Sequence, residues 1–492
     1  MSHILSIDQS TSATKAVLFA EDGSIVDKCS IEHRQIYPQP GWVEHDAEEI
    51  WANVLAVVST IKERNPSAIQ SAACVSITNQ RETVIAFERS TGKPLANAIV
   101  WQCRRGDTFC AELNEAGHDT LVRSKTGLKI DTYFSGSKLR WMVKNIDGLA
   151  QKLEDGSALL GTIDTYLVYR LTGGSVFATD STNASRTLLF DIRRLDWDAE
   201  LCGLFKIPRG ALAEIRDSGA RFGETRFDGL LENPLPIYGV IGDSQASLFA
   251  QGCLDHGDAK VTLGTGSSLL LNIGSALPQG DVGTLTSLAW VREGQPTYAL
   301  EGIINYSAAT INWLRDQLGI ISSPSETEEM AESLDGNDGV YLVPAFAGLS
   351  APYWSSSARA AIIGISAHTD KRHIARAALE SIAYQIRDVL DDLRKGAGAE
   401  LSSISADGGA IQNEFLMQFL ADLLGISVRA ADAPEYSALG ASRFGALGVG
   451  LYASSEEMPE STAEGKVYQP QAEESVMNRY YDGWKEAVGR VL

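Results

Sequence analysis

Strand-like apolar runs alternate with longer amphipathic stretches along the whole chain. That alternation restricts it to the α/β class, because strands separated by helices assemble into sheets with helices on their faces. Two places break the pattern, with one strand following another directly. In SIDQSTSATKAVLF, residues 6–19, two apolar runs flank a polar block. A hairpin turns most cheaply through Asn-Gly or Asp-Gly. This one instead carries Asp8, Ser10, Thr11, Ser12, Thr14 and Lys15. AKVTLGTGSSLLLN, residues 259–272, again reads strand, Gly/Thr/Ser turn, strand. The echo implies two related domains, each presenting a hydroxyl-rich turn.

At 492 residues the chain exceeds one ordinary core, and a division into 1–245 and 246–492 is expected. Asp46, with Glu49 three positions on, predicts a capping box and a helix whose apolar face is Ile50, Trp51, Val54, Leu55, Val58 and Ile61. Ile374, Ala378, Ile382, Ile386, Val389 and Leu393 predict a second long helix, stopped by Gly396 and Gly398. No apolar run is long enough to span a bilayer, and MSHILSIDQS lacks the basic and apolar regions of a signal peptide. The six cysteines are scattered without a CxxC pair, which suits reduced thiols in the cytoplasm. A net charge of −21 weighs against a nucleic-acid partner, since phosphate backbones require a concentrated basic surface.

Three further segments are suited to chemistry. In ISADGGAIQNEFLMQFLADLLG, residues 404–425, Gly408 and Gly409 sit between a strand and a helix, where a ligand can approach the backbone and free N–H donors. NQRE (79–82) and VWQCRR (100–105) place Arg81 and Glu82 at a strand end, with Trp101 nearby. Such a pair can donate to and accept from vicinal hydroxyls while the indole covers a polyol's apolar face. GVIGDSQASLFAQG, residues 239–252, sets Asp243 between a strand and a helix as a candidate general base. Taken alone, these residues also suit plainer roles. Asp8 can satisfy turn amides, Arg81 and Glu82 can form a local salt bridge, and Asp243 can cap a helix. No GxxxxGK[ST] sequence occurs.

The order of two polar turns and a glycine segment resembles the actin-like ATPase superfamily. That resemblance implies two ribonuclease-H-like domains with a nucleotide cleft between them, Lys15 supplying positive charge and Asp8 holding a hydrated Mg²⁺. YFSGSKLRWMVKN (133–145) and AAIIGISAHTDKRHIARAALE (360–380) carry a closer resemblance, to the FGGY carbohydrate kinases. Within that family YPQPGWVEHD, SITNQRET, NAIVWQCRR, RSKTGLKID, TDSTNASRTLLFDI, VPAFAGLSAPYW and DGGAIQNEFLMQF are most similar to the glycerol-phosphorylating branch. The resemblance implies that Thr11, Ser12 and Lys15, with Gly264 and Thr265, meet the ATP phosphates, and that Gly409 and Asn413 meet the nucleotide. It implies Arg81, Glu82, Trp101, Tyr133 and Asp243 around the polyol, with Asp243 as general base.

Several positions depart from that branch. DQSTS replaces the usual DQGTT, so Ser10 stands for a glycine. GDSQ and GTGSS replace GDQQ and GTGxF, so Ser244 stands for an amide and Ser268 for a phenylalanine at the substrate. Ala308 and Asn312 stand where glycine and glutamine are usual near the nucleotide. The implied reaction is ATP-dependent phosphorylation of a primary hydroxyl, with glycerol giving glycerol 3-phosphate. Losing the phenylalanine opens room for a longer polyol or sugar, of the erythritol, threitol, ribitol or xylulose type. A reading of another class is a non-catalytic sugar sensor or an actin-like assembly ATPase. The lack of a basic DNA-binding helix pair disfavours the first, and the polyol-directed residues disfavour the second. The family also implies a homo-oligomer, a dimer or tetramer.

Overall fold

The structure, a computed structural model, describes residues 2–278, 283–355, 357–398, 400–431, 435–459 and 465–492. The chain forms two compact units. The first comprises Met1–Gly252, Thr286–Tyr298 and Glu435–Thr462; the second comprises Cys253–Leu285, Ala299–Pro434 and Ala463–Leu492. The expected division at 245/246 describes two continuous halves, whereas the chain re-enters the first unit twice.

The sheet of the first unit has six strands. His3–Gln9 pairs antiparallel with Ala13–Ala20, which pairs antiparallel with Ile25–Glu32. On its other side His3–Gln9 runs parallel to Ala72–Asn79, which runs parallel to Leu235–Gly242. Ile7, Val75, Ile77, Val240 and Ile241 are fully buried, as expected for strands covered on both faces. Three parallel strands therefore end together, with Asn79 in register with both Gln9 and Gly242. The residues that follow them, Ser10 to Ser12, Arg81 with Glu82, and Asp243, emerge at one sheet edge.

Helix Ala47–Arg64 covers this sheet through Ile50, Trp51, Val54, Val58 and Ile61 of the predicted face, with Val57 buried as well and Leu55 only half-buried. Asp46 caps it, its carboxylate accepting from the Glu48 and Glu49 amides. The Glu49 side chain does not complete the expected box; it meets Arg34 Nε at 3.0 Å. Two opposite charges in reach outcompete a reciprocal bond to an amide.

A second cover, helix Tyr436–Val449, arrives from far along the chain. Its glycines bring backbone against backbone. A Cβ on Gly440 would lie 1.9 Å from the Ala246 carbonyl oxygen, and one on Gly448 2.2 Å from that of Gly219. No larger residue fits there without moving this helix, the helix that holds Ala246 or the turn at Gly219.

The second unit repeats the plan. Ala259–Leu263 pairs antiparallel with Ser267–Gly274 and parallel with Ser403–Asp407, which runs parallel to Ser427–Ala430. The helices Lys371–Ala397 and Glu414–Leu424 end at Gly398 and Gly425, both in the left-handed conformation. The α/β fold and the internal echo read from the sequence are thus both present.

Candidate active site

At the tip of the first hairpin the Ser10 hydroxyl donates to the Ala13 carbonyl at 3.0 Å and accepts from the Ala13 amide at 3.2 Å. The serine that replaces the family's glycine closes the turn with its own side chain. Asp8 and Lys15 face each other across the two strands, and Lys15 Nζ lies 3.7 Å from Asp8 Oδ2. The ammonium is held more closely by a residue the sequence did not single out, Glu435, at 2.6 Å. Asp8 is only 5% exposed. Burial pushes its carboxyl up to about 7; Lys15 opposes that rise, and the nearby charges of Glu435 and Asp243 add to it.

Lys15 also serves Glu435, which Lys28 reaches at 3.5 Å, and Asp243 is held by Arg81, so the Asp8 carboxylate shares its nearest cation. The oxygen donors and their charge fit a hydrated Mg²⁺, which prefers carboxylate, water and phosphate oxygens.

Thr11 and Trp101, expected at phosphate and polyol respectively, are joined: the Trp101 Nε1–H donates to Thr11 Oγ1 at 3.0 Å. Trp101 also meets Tyr133 edge to face at 5.4 Å between ring centroids. The Tyr133 segment is fixed from below by Lys138. Its ammonium donates to the carbonyls of Thr132, Tyr133 and Phe134 at 2.8, 2.7 and 2.8 Å. Burial pushes Lys138 down to about 8, so it remains largely charged at neutral pH.

Arg81 and Glu82 are both buried, yet they do not chiefly pair with each other, their closest ionic atoms lying 4.0 Å apart. Arg81 Nε lies 3.2 Å from Asp243 Oδ1, and its Nη1 donates to Gln245 Oε1 at 3.3 Å. Glu82 accepts from Arg186 Nε at 2.6 Å. Its backbone is left-handed, with φ of 62°, a conformation that branched or long residues adopt only where surroundings enforce it. Arg186, which the sequence analysis did not single out, is fully buried. The signal was present in SRTLLF, an arginine set among apolar residues.

Asp243 is the first residue of helix Asp243–Ala250, with Gly242 in the capping position. Its Oδ1 accepts from the Ser244 amide at 2.7 Å and faces Arg81. The side chain is 36% exposed, so the carboxylate is held on one side and open to solvent on the other.

The second unit gathers its own set. The Ala308 amide donates to the Gly264 carbonyl at 3.1 Å and the Ser307 amide to that of Thr265 at 2.9 Å, so the second turn rests on the start of helix Ala308–Asp316. Asn312 lies one turn further along the same face. A Cβ on Gly266 would sit 2.5 Å from the Ile304 carbonyl oxygen. Thr262 and Asp407 are register partners on parallel strands, which bring Gly264 and Gly409 out at one end. Gly409 is open, with no atom of the described residues outside its own neighbours within 4 Å of where a Cβ would point. Asn413 caps helix Glu414–Leu424, accepting from the Leu416 amide at 2.8 Å, and donates to Thr327 Oγ1 at 3.3 Å. Ser268 Oγ is buried without a hydrogen-bond partner among the described residues.

Residues 3–250 match the N-terminal domain of the FGGY family of carbohydrate kinases, and residues 259–449 its C-terminal domain. Glycerol kinase 1 of Thermotoga maritima is 46% identical over 490 residues, covering 100% of this chain and 99% of the relative. The glycerol kinase of Desulforamulus reducens is 45% identical over 490 residues, covering 100% and 98%. Among solved structures, Plasmodium falciparum glycerol kinase with ADP superposes with a TM-score of 0.93 at 37% identity, covering 100% of this chain and 98% of that one. A xylulose kinase from Lactobacillus acidophilus shares the fold, with a TM-score of 0.87 at 22% identity and 99% coverage of each. With both domain signatures and full-length relatives in agreement with its two repeated sheets, the chain belongs to the FGGY family of carbohydrate kinases.

Proposed function

We propose that this chain transfers the terminal phosphoryl group of ATP to a primary hydroxyl of glycerol, giving glycerol 3-phosphate. The observation that carries the reading is Asp243, clamped by Arg81 at 3.2 Å and part-open to solvent, in a unit that also holds the Trp101–Tyr133 pair. Full-length relatives named glycerol kinase support glycerol as the acceptor.

In this reading Asp243 accepts the proton of the attacking hydroxyl as the O–P bond forms, and ADP leaves with the electrons of the broken bond. Arg81, 3.2 Å away, orients that carboxylate. Glu82, held by Arg186, accepts from the polyol's hydroxyls, and Trp101 with Tyr133 covers its carbon face. Thr11, Ser12 and Lys15 donate to phosphate oxygens, as does the Gly264–Thr265 turn, with Gly409, Asn413, Ala308 and Asn312 serving the nucleoside. Asp8 would hold Mg²⁺ through water. The ion, when bound, neutralises charge on the phosphates during transfer. Six free cysteines, five of them buried, suit a reducing cytoplasm.

A second reading, a four- or five-carbon polyol or sugar as acceptor, is favoured by Ser268, whose hydroxyl has no hydrogen-bond partner among the described residues and suits an additional substrate hydroxyl. ADP release measured with glycerol, erythritol, threitol, ribitol and xylulose separates the two. The first reading expects the highest kcat/KM with glycerol; a four-carbon polyol more than about tenfold better would replace it. ATP turnover that ignores added polyol would remove both.

A further inference from the structure

Outside this site, three side chains with metal-ligand chemistry converge in the second unit. His373 Nε2 lies 3.2 Å from Asp338 Oδ2, and His368 Nε2 lies 3.9 Å from the same oxygen. One ligand atom from each of the three residues falls within 4.8 Å of the others. We propose that Asp338, His368 and His373 form a binding site for a divalent transition metal of the zinc class.

The donor set selects the metal. Two imidazole nitrogens and one carboxylate oxygen suit Zn²⁺, Co²⁺ or Ni²⁺, whereas Mg²⁺ and Ca²⁺ prefer all-oxygen shells. Ligand atoms on a tetrahedral zinc stand about 3.3 Å apart, so two contacts already approach that spacing. His368, with its side chain 81% exposed, can rotate to close the remainder. Water supplies the fourth ligand.

The orientation of His373 is the independent observation. Its side chain is 1% exposed, and its Nδ1 lies 3.2 Å from Asp370 Oδ1. A carboxylate behind the ring fixes a metal-binding imidazole by accepting its other N–H. Without metal, Nδ1 accepts from the Asp370 amide at 3.1 Å, and Nε2–H faces Asp338. Metal at Nε2 reverses the tautomer: the Nε2 proton is lost to solvent, Nδ1 gains one, and Nδ1–H donates to the Asp370 carboxylate. Arg372 pairs with that carboxylate at 2.7 Å, which leaves Asp338 as the anionic ligand.

The frame is stiff. Asp338 is held left-handed, with φ of 47°, and a Cβ on Gly364 would lie 1.8 Å from the Gly339 carbonyl oxygen, so the two loops touch through their backbones. His368 sits in a turn closed by Ser366, whose Oγ accepts from the His368 amide at 3.2 Å. Ligands on rigid elements lose little freedom when metal binds.

The test is titration of the full chain with Co²⁺ alone, followed by its visible d–d absorption, with Zn²⁺ calorimetry in parallel. The proposal expects one equivalent per chain, bound more tightly than about 100 µM. His368→Ala and Asp338→Asn, changes at exposed positions, should each weaken binding at least about tenfold, while His256→Ala should not. His368→Cys should restore it with a new thiolate-to-cobalt charge-transfer band, which keeps the assignment testable should an alanine variant be poorly folded. Binding weaker than about 100 µM, loss below tenfold in His368→Ala, or a thiolate band in the unaltered protein would overturn the assignment.

Discussion

The two hairpins share one fold and differ in what their tips carry. The tip that follows His3–Gln9 carries formal charge, with Asp8 and Lys15 in register and Glu435 closing on the lysine. The tip that follows Ala259–Leu263 carries none in its turn, Gly264-Thr265-Gly266, and its carbonyls are anchored to the amides of Ser307 and Ala308. A duplicated scaffold has thus been given side-chain electrostatics in one copy and backbone shape in the other. Alterations in the first unit should therefore act on the rate of chemistry, and alterations in the second on nucleotide affinity.

The sharpest break is Asp243→Asn. Its amide cannot take a proton, so kcat should fall about 10³-fold while nucleotide affinity, measured by calorimetry, stays near its starting value. Asp8→Asn should lower kcat about 10²-fold and weaken the dependence on Mg²⁺ concentration. The same variant has a pH signature in the ligand-free protein. Asp8 rises from 3.8 to about 7 on folding, so its contribution to stability is full below about pH 4 and lost as pH climbs through 7. Asparagine does not titrate. The melting-temperature advantage of Asp8→Asn should grow from pH 5 to 7 and level off above it.

In the second copy, Gly266→Ala forces a methyl towards the Ile304 carbonyl, 2.5 Å away, and should raise the KM for ATP about tenfold with little change in that for the polyol. A rise in the polyol KM instead would erase the proposed division of labour. The smallest effect is expected for Ser10→Gly, which removes a turn hydrogen bond worth about 1 kcal/mol and should be visible in a melt but hardly in turnover.

Local patterns in the sequence made both hairpins legible, along with the two long helices and the placing of Arg81, Glu82 and Asp243 at strand ends. Each follows from periodicity or turn chemistry over a few residues. The pairings among side chains were not legible. Glu82 meets Arg186 from 104 positions away, and Lys15 meets Glu435 from 420. Such partners are chosen by topology, and no local pattern encodes them. Glu49 shows the same limit at short range, where Arg34, delivered by the preceding loop, displaced the expected cap contact. The helix at 436–449 shows the same limit at long range, since it packs on the strands Leu235–Gly242 and Ala72–Asn79, far earlier in the chain.

That helix carries a lesson for biosynthesis. During translation the sheet containing His3–Gln9 leaves the ribosome long before helix Tyr436–Val449, whose Gly445 lies against Cys74 and Ser76 of that sheet, has been made. Until then one of its faces lacks its partner, and the second unit must form as an insertion within an unfinished neighbour. A fragment ending at 252 would accordingly be an incomplete body rather than a domain, however well its boundary agrees with the linear order of the chain.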